Sequence, residues 1–336
     1  MTAPADRART EKVLSLDPPA PPGWVARLVS AHLVESEALV REGTILRASE
    51  SGGVGLVRAT VPGAKRLPDR EFRVCVERTY LAIGELLRER GRVPLRFWNY
   101  VPGIRARASG GLSRYELFNL GRYLAYTAWY ESARFGERLA AASAVDHRGD
   151  DLVVEVLAGS RPGTALENPR QTPAYRYSRR FGPLPPCFSR ATIVPGSLDV
   201  GTPWAIVAGT SSIVGEDARH AGDCEAQLDE TLLNLAHLSA AFAGDLPGAG
   251  ERLGADERAH ALARFRHLRV YLVREVDSAR VVAGLRRACS EIDELEAFAA
   301  DLCRPELLVE VEGVLRAPGE CGRSLRGSSG GSRRRR

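Results

Sequence analysis

The chain has 336 residues, of which 44% are hydrophobic, 26% are charged and 7% are aromatic. This composition excludes a disordered protein and is sufficient for one large hydrophobic core or two ordinary ones. The net charge of +5 arises in the last twenty residues, which hold six arginines and one glutamate, so the rest of the chain is neutral and no nucleic-acid groove is predicted.

The cysteines and histidines give no sign of a disulfide framework or a metal site. The six cysteines form no CxxC pair and the six histidines never occur at ligand spacing. No N-terminal apolar run is present, and no window approaches the roughly 20 apolar residues of a membrane span. We therefore expect a soluble, cytoplasmic protein with reduced thiols, no metal and no membrane partner.

The first half of the chain shows alternating strand and helix patterns after a proline-rich start. Residues 1–22 are polar and end in a proline cluster, which predicts a mobile arm, so the fold is expected to start near Gly23. The hydrophobic spacing then predicts strands Thr44–Leu46 and Gly55–Thr60, helices Glu71–Arg90 and Tyr115–Arg134, and a strand Leu152–Ala158.

The second half repeats this order after a connector rich in Pro, Tyr and Arg over Glu167–Arg190. Its predicted elements are strands Thr192–Val194, Leu198–Val200 and Ala205–Ala208, a helix Cys224–Ala241, a strand Leu268–Arg274, a helix Ser278–Ala288 with Ser278 as N-cap, and a strand Leu307–Leu315. The repeated order predicts an α+β fold made by a diverged duplication.

Several common catalytic motifs are absent from the sequence. It has no GxGxxG after a strand, no GxxxxGK[ST], no HExxH, and no GxSxG outside the Gly/Ser-rich tail, so the corresponding nucleotide, zinc-protease and hydrolase sites are not predicted. Arginine, tyrosine and glutamine are instead concentrated around residues 96–122 and 167–191. These residues suit a small dianion, because arginine pairs with carboxylates in a bidentate way, but ordinary loop hydrogen bonds would explain them equally well.

Two carboxylates near the end of the chain allow acid catalysis. Glu310 and Glu312 share one face of the last predicted strand, and Val309 and Val311 occupy the other. Such a pair either lies on a solvent-exposed edge of a sheet or is partly buried. If apolar neighbours bury one of the two carboxyl groups, its pKa rises and it can serve as a protonated general acid.

The sequence resembles the chorismatase / 3-hydroxybenzoate synthase family, which has a Rid/YjgF-like fold. The resemblance covers about Gly23 to Arg316 and rests on segments that occur in the family's order: RFWNYVPGI, RYELFNLGR, ENPRQTPAY, GTSSIVG and CRPELLVEVEG. It implies two Rid-like (chorismate-mutase-like) α+β domains that form a pseudo-trimeric monomer. The expected ranges are an arm over 1–22, domains over 23–181 and 182–316, and a disordered basic tail over 317–336.

The resemblance also implies the reaction. The substrate would be chorismate, no cofactor would be needed, and Glu310 would protonate the enolpyruvyl methylene carbon so that pyruvate leaves. Synthase-type members convert the ring to 3-hydroxybenzoate, whereas hydrolases leave a trans-dihydroxycyclohexadiene carboxylate. A non-catalytic module that binds an aromatic acid is a third possibility, and imine deamination is disfavoured because the expected arginine is replaced by Leu295.

Two positions bear on the ring product. Cys303, seven residues before the acid, is typical of the synthases, although a lone cysteine is also a common buried apolar residue. Ser211 departs from the glycine or alanine that the family carries in this turn, and Ser178, Asp146 and the pair Glu216-Asp217 depart from it elsewhere.

The resemblance assigns the remaining site residues to substrate binding. Arg190, Arg170 and Arg179 would bind the carboxylates, and Tyr175, Tyr177 and Gln171 would orient the ring. Gly209, Thr210 and Ser211 would form one wall of the site.

Overall fold

The computed structural model describes residues 18–30, 34–35, 38–51, 53–130, 135–194, 204–246 and 253–317. The predicted arm falls outside these residues as far as residue 17, and so do the predicted strand Leu198–Val200 and residues 318–336 of the predicted tail. The described end of the arm lies against the fold, because Arg269 Nη2 donates a 2.9 Å hydrogen bond to the Ala20 carbonyl.

Helices and strands alternate along the described chain. The helices are α1 (Gly23–Ser30), α2 (Asp69–Glu89), α3 (Arg114–Tyr130), α4 (Cys224–Ala243), α5 (Ala255–Leu262) and α6 (Ser278–Ala288). The strands are β1 (Val34–Glu35), β2 (Leu39–Arg41), β3 (Thr44–Ser51), β4 (Val54–Val61), β5 (Val93–Tyr100), β6 (Ala141–Val145), β7 (Leu152–Gly159), β8 (Thr164–Leu166), β9 (Ala191–Val194), β10 (Trp204–Ser211), β11 (Ile213–Val214), β12 (Asp217–Ala218), β13 (Phe265–Leu272), β14 (Glu294–Ala299) and β15 (Val309–Arg316).

Two main sheets have the same strand order. The first runs β1-β3-β4-β7-β5-β6, with β2 beside β3, and the second runs β14-β13-β15-β10-β9-β8. When the first sheet is followed from β6 and the second from β14, each strand of one sheet corresponds to the strand at the same position in the other. Each contains one parallel pair, β5 with β6 and β13 with β14. The predicted α+β class and the duplication of one unit are therefore confirmed. The strand β8 joins the second sheet, although it precedes residue 182.

Helices cover one face of each sheet, and the opposite faces meet each other. Helices α2 and α3 pack on the first sheet, while α4, α5 and α6 pack on the second. A third apolar cluster lies between the sheets and includes Trp24, Trp98, Ile206, Tyr271 and Phe298. The two halves therefore share a core, and any polar group at this interface is removed from water.

Local signals explain both ends of helix α4. The Asp223 side chain accepts 3.1 Å hydrogen bonds from the Glu225 and Ala226 amides and so begins α4, and Gly244 ends it with a positive φ of 74°. The predicted N-cap at Ser278 is wrong. Ser278 is the first residue of α6, and the preceding Asp277 accepts a 2.6 Å hydrogen bond from Arg274 Nε.

The sequence patterns missed helices α1 and α5 and strands β1, β2, β5, β6, β8, β11, β12 and β14. Residues 95–100 of β5 are all buried, so the strand shows no alternation of polar and apolar residues. In the described part of the chain, no helix is long and apolar enough to span a membrane.

Candidate active site

A cavity of about 150 Å³ lies between the two halves of the molecule. Strand β6 forms one wall with Ala142, Ser143 and Ala144, and strands β10 and β15 form the opposite wall. Helix α3 and the connector before β9 close the remaining sides. The connector side chains in the lining are Tyr177, Arg180, Phe181, Pro186, Phe188 and Arg190.

Glu310 reaches this cavity from an internal strand. Strand β15 lies between β10 and β13, and Glu310 is in register with Ser211 on one side and Tyr271 on the other. Because the strand has neighbours on both edges, Glu310 and Glu312 are only 6% and 3% exposed. This burial excludes the solvated edge that the sequence left open.

The surroundings of Glu310 favour its protonated form. Its Oε2 lies 3.5 Å from the Ser211 hydroxyl, which is a weak contact. Burial, and after it the charge of Glu312, raise the pKa of Glu310 to about 8, whereas the charges of Arg96 and Arg190 act in the opposite direction. At neutral pH this side chain is mainly a carboxylic acid that can donate a proton.

Gly209 makes room for that carboxyl group. A Cβ atom at position 209 would lie 1.9 Å from Glu310 Oε1 and 3.1 Å from Ser143 Cβ. The β10–β15 register shifts between Val207 and Thr210, which places this glycine at an irregularity of the strand. A side chain at this position would therefore displace Glu310.

Three buried arginines line the cavity: Arg122, Arg190 and Arg304. Arg190 Nη2 donates to the Tyr177 hydroxyl at 2.7 Å, and Arg304 Nη1 donates to the Glu216 carbonyl at 2.7 Å. Among the described residues, no carboxylate oxygen lies within 4 Å of their guanidinium nitrogens. Four arginines and two glutamates, Glu116 and Glu310, line the cavity, so positive charge is in excess there, which favours an anionic ligand.

Aromatic rings fix the orientation of these guanidinium groups. The Arg304 guanidinium lies 4.0 Å from the centre of the Phe181 ring and 5.2 Å from that of Tyr177. Arg190 is 5.2 Å from the Phe188 ring. The connector thus supplies both the cover of the cavity and the rings that hold its cations.

Cys303 lies beside the acid in the same cavity. Burial, and then the neighbouring charge of Glu310, raise the pKa of the Cys303 thiol to about 12. The side chain is therefore a neutral thiol in the physiological range, and thiolate nucleophilic catalysis is not available to it.

The cavity collects only some of the residues singled out from the sequence. Those that line it are Glu310, Cys303, Arg190, Tyr177, Gly209 and Ser211. Arg170 does not, because its Nη1 pairs with Glu230 at 2.6 Å and with Asn234 at 2.5 Å. Arg179 is exposed, on a turn whose next two residues do line the cavity.

The other three residues contact neighbouring segments instead. Tyr175 packs against the core of the first half, close to Gly136. Gln171 Nε2 donates to the Ile213 carbonyl at 3.2 Å, and the Thr210 hydroxyl donates to the Ala208 carbonyl at 3.0 Å. Their contacts stabilise the loops around the cavity.

Sequence reasoning missed Arg304, Arg122 and Ser143 as lining residues. The first two stand inside segments that carried the family resemblance, so motif membership was an available signal. Ser143 lies on β6, a strand that the hydrophobic pattern did not reveal, and no signal pointed to it.

Comparison with known proteins identifies the family. A model of the family described as chorismatase FkbO/Hyg5-like, N-terminal, matches residues 35–158. A 3-hydroxybenzoate synthase of Streptomyces hygroscopicus is 32% identical over 252 residues, which are 74% of this chain and 71% of the relative. A chorismatase of Streptomyces rapamycinicus is 34% identical over 265 residues, which are 75% of this chain and 73% of the relative. The chain belongs to the chorismatase family.

A solved structure agrees with this assignment. A crystal structure of a chorismatase superposes with a TM-score of 0.67 at 26% identity and covers 84% of this chain and 80% of its own. The family predicted from the sequence segments is confirmed, and so is its classification as an enzyme. The matched residues 35–158 include β6, which forms one wall of the chorismatase cavity described above.

Proposed function

We propose that this protein cleaves chorismate into pyruvate and 3-hydroxybenzoate, with Glu310 as the general acid. The observation that carries the proposal is a buried, protonated carboxyl group on the wall of a cavity that three arginines make positive. The names of two relatives, chorismatase and 3-hydroxybenzoate synthase, supply the substrate class.

The arginines would bind the two carboxylates of chorismate. Arg190 and Arg304 both contact the Tyr177 ring, so their guanidinium groups converge on one side of the cavity. Arg122 lies on α3, on another wall. We assign carboxylate binding to these three and not to Arg170, whose charge is already neutralised by Glu230.

The bond changes follow from the protonation state of the acid. Glu310 gives its proton to the methylene carbon of the enolpyruvyl group, and the positive charge that develops on the ether carbon weakens the bond between ring and oxygen. Pyruvate leaves with the bridging oxygen. The ring hydroxyl oxygen closes an arene oxide and releases a proton, which restores the acid, and the arene oxide opens to 3-hydroxybenzoate. No water is consumed.

A hydrolytic outcome is the second candidate, and Ser211 is the observation that favours it. Its hydroxyl lies 3.5 Å from Glu310 Oε2 on the cavity wall, where it could bind a water molecule. Water would then add to the ether carbon, and pyruvate and a dihydroxycyclohexadiene carboxylate would result.

A coupled pyruvate assay with chorismate and no added metal tests the activity, and chromatography identifies the ring product. Pyruvate together with 3-hydroxybenzoate is the expected result. Pyruvate with the diol would contradict the synthase reaction and leave the acid in place. Absence of pyruvate would contradict the proposed function as a whole.

The substitution Cys303→Ala tests which residue directs the ring product. We expect the product to shift from 3-hydroxybenzoate toward the diol, because removal of the thiol opens space beside the acid for water. Cys289→Ala is the matched control, since Cys289 is buried in the helical core of the second half. An unchanged product ratio in Cys303→Ala would contradict the role of Cys303.

A further inference from the structure

Glu312 is held by three hydrogen-bond donors that come from the other half of the molecule. Its carboxylate accepts from Arg96 Nη2 at 2.6 Å, Trp98 Nε1 at 2.7 Å and Ser143 Oγ at 2.8 Å. All four side chains are buried. Three close donors, one of them a guanidinium group, compensate a carboxylate that would otherwise be buried without partners.

The strand geometry places Glu312 and its three donors next to Glu310. Glu312 follows Glu310 by two residues on β15, so both side chains leave the same face of the strand. Arg96 and Trp98 are also two residues apart, on β5, so their side chains share one face of that strand. Ser143 on β6 is the register partner of Trp98. Ser143 also lines the cavity, so the network and the site share a wall.

The two glutamates therefore differ in hydrogen bonding although they share one face. Glu312 has three close donors, whereas Glu310 has a single hydroxyl at 3.5 Å among the described contacts. Because Glu310 lacks close donors that would stabilise a carboxylate, burial and the nearby Glu312 favour its protonated form.

We propose that Glu312 is a positioning residue for the general acid, because its fixed negative charge keeps the proton on Glu310 between turnovers. This inference rests on the proposed function and assigns to Arg96, Trp98 and Ser143 the task of holding that charge in place.

Other charged groups around Glu310 determine how strongly Glu312 changes the pKa of Glu310. The titratable or charged side chains that face it from the packed elements are Glu312 on β15, Arg96 on β5, Tyr271 on β13, Tyr115, Glu116 and Arg122 on α3, Tyr177, Arg180 and Arg190 from the connector, and Cys303 and Arg304 from the loop before β15. Glu312 raises the pKa of Glu310 more than Arg96 lowers it. Removal of the Glu312 charge should consequently favour loss of the Glu310 proton.

The substitution Glu312→Gln keeps the shape of the side chain and removes the charge. We expect the alkaline limb of the kcat/KM profile for pyruvate release to move to lower pH by about one unit. The control Glu155→Gln also removes a buried glutamate, on β7, outside the cavity lining, and should leave the limb in place. A merely structural role of Glu312 would lower activity without moving the limb.

A double variant keeps the test valid if Glu312→Gln alone fails to fold, because the single change leaves the Arg96 charge buried and unpaired. In Arg96→Met/Glu312→Gln both charges are absent, and the limb should lie between those of the wild type and of Glu312→Gln. The proposal would be overturned if the alkaline limb of the kcat/KM profile of either variant lay at the same pH as that of the wild type, or at a higher pH.

An infrared titration separates this inference from the proposed function. The carbonyl stretch of the protonated Glu310 is isolated by subtraction of the spectrum of the matching Glu310→Gln protein, and its loss is followed with pH in the absence of substrate. The midpoint should be lower in Glu312→Gln than in the wild type, whether or not chorismate is cleaved. Equal midpoints would overturn the inference, while absence of pyruvate with the wild type would overturn only the proposed function.

Discussion

Gly209 shows how one missing side chain determines the position of the acid. The irregularity in β10 brings its backbone to the Glu310 carboxyl, and a Cβ atom there would lie 1.9 Å from Oε1. The backbone is held on both sides of Gly209, since Trp204–Val207 pair with β9 and β15, and Thr210 and Ser211 pair with β15. Glu310 would have to change its rotamer, and its carboxyl group would no longer point into the cavity.

Gly209→Ala should therefore lower kcat/KM by about a hundredfold, which is the order expected for a displacement of a catalytic group by about 1 Å. Steady-state pyruvate release measures the effect. Gly110→Ala is the control, because a Cβ at position 110 meets no atom within 4 Å and should leave the rate unchanged. Wild-type activity in Gly209→Ala would show that the acid does not depend on this contact.

At the residue scale, motif membership placed Glu310 in the cavity but did not find every arginine that lines it. Glu310, Cys303 and Gly209 were predictable because each stands in a segment typical of the family. Arg170 was expected in the site for the same reason, yet its guanidinium pairs with Glu230, sixty residues later on α4. Such a pairing between distant segments leaves no trace in local sequence.

At the scale of elements, the connector over Glu167–Arg190 is a fixed cover over the cavity. The Glu216 carboxylate accepts from the Ser178 amide at 2.9 Å, from the Ser178 hydroxyl at 2.7 Å and from Arg180 at 2.9 Å. Ser178 and Glu216 are two of the positions at which this sequence departs from the family pattern. The structure brings these departures together as one contact.

Glu216→Ala should raise the KM for chorismate about three- to tenfold with a smaller change in kcat, because it loosens the cover but leaves the acid in place. Steady-state kinetics with varied chorismate measures both constants. Glu225→Ala, which removes an exposed carboxylate of α4 paired with Arg280 at 3.6 Å, is the control. A KM equal to that of the control would contradict the covering role.

The elements themselves were predicted unevenly. Long helices such as α2 and α4 were found within a few residues, since an amphipathic period extends over several turns. Strands β5 and β6 were missed, because both pack between two layers and lack alternation. The cavity wall that β6 forms could therefore not be placed from sequence.

At the scale of the whole molecule, the cluster between the sheets couples the two halves. The Trp24 ring on α1 lies 6.3 Å from the Trp98 ring of the first sheet and 6.3 Å from the Trp204 ring of the second. Because the cavity lies between the same two sheets, its geometry depends on this shared core.

Trp24→Ala should lower the free energy of unfolding by about 3–5 kcal/mol, as expected for the loss of a buried aromatic side chain. Urea unfolding followed by circular dichroism and by tryptophan fluorescence should still give one coincident transition, since both halves lose the shared contact together. Val276→Ala is the control, because Val276 is 81% exposed. Two separate transitions in the wild type would contradict the coupling of the halves.

The pH dependence of kcat/KM for pyruvate release from chorismate, measured for the wild type and for Glu310→Gln, tests the central claim most directly. The reactive form is protonated and the pKa of Glu310 is raised to about 8. The wild-type rate should therefore be high below that pH and fall about tenfold per unit above it, and Glu310→Gln should release almost no pyruvate. A rate that rises through pH 8, or a Glu310→Gln rate within about tenfold of the wild type, would contradict the assignment of Glu310 as the acid.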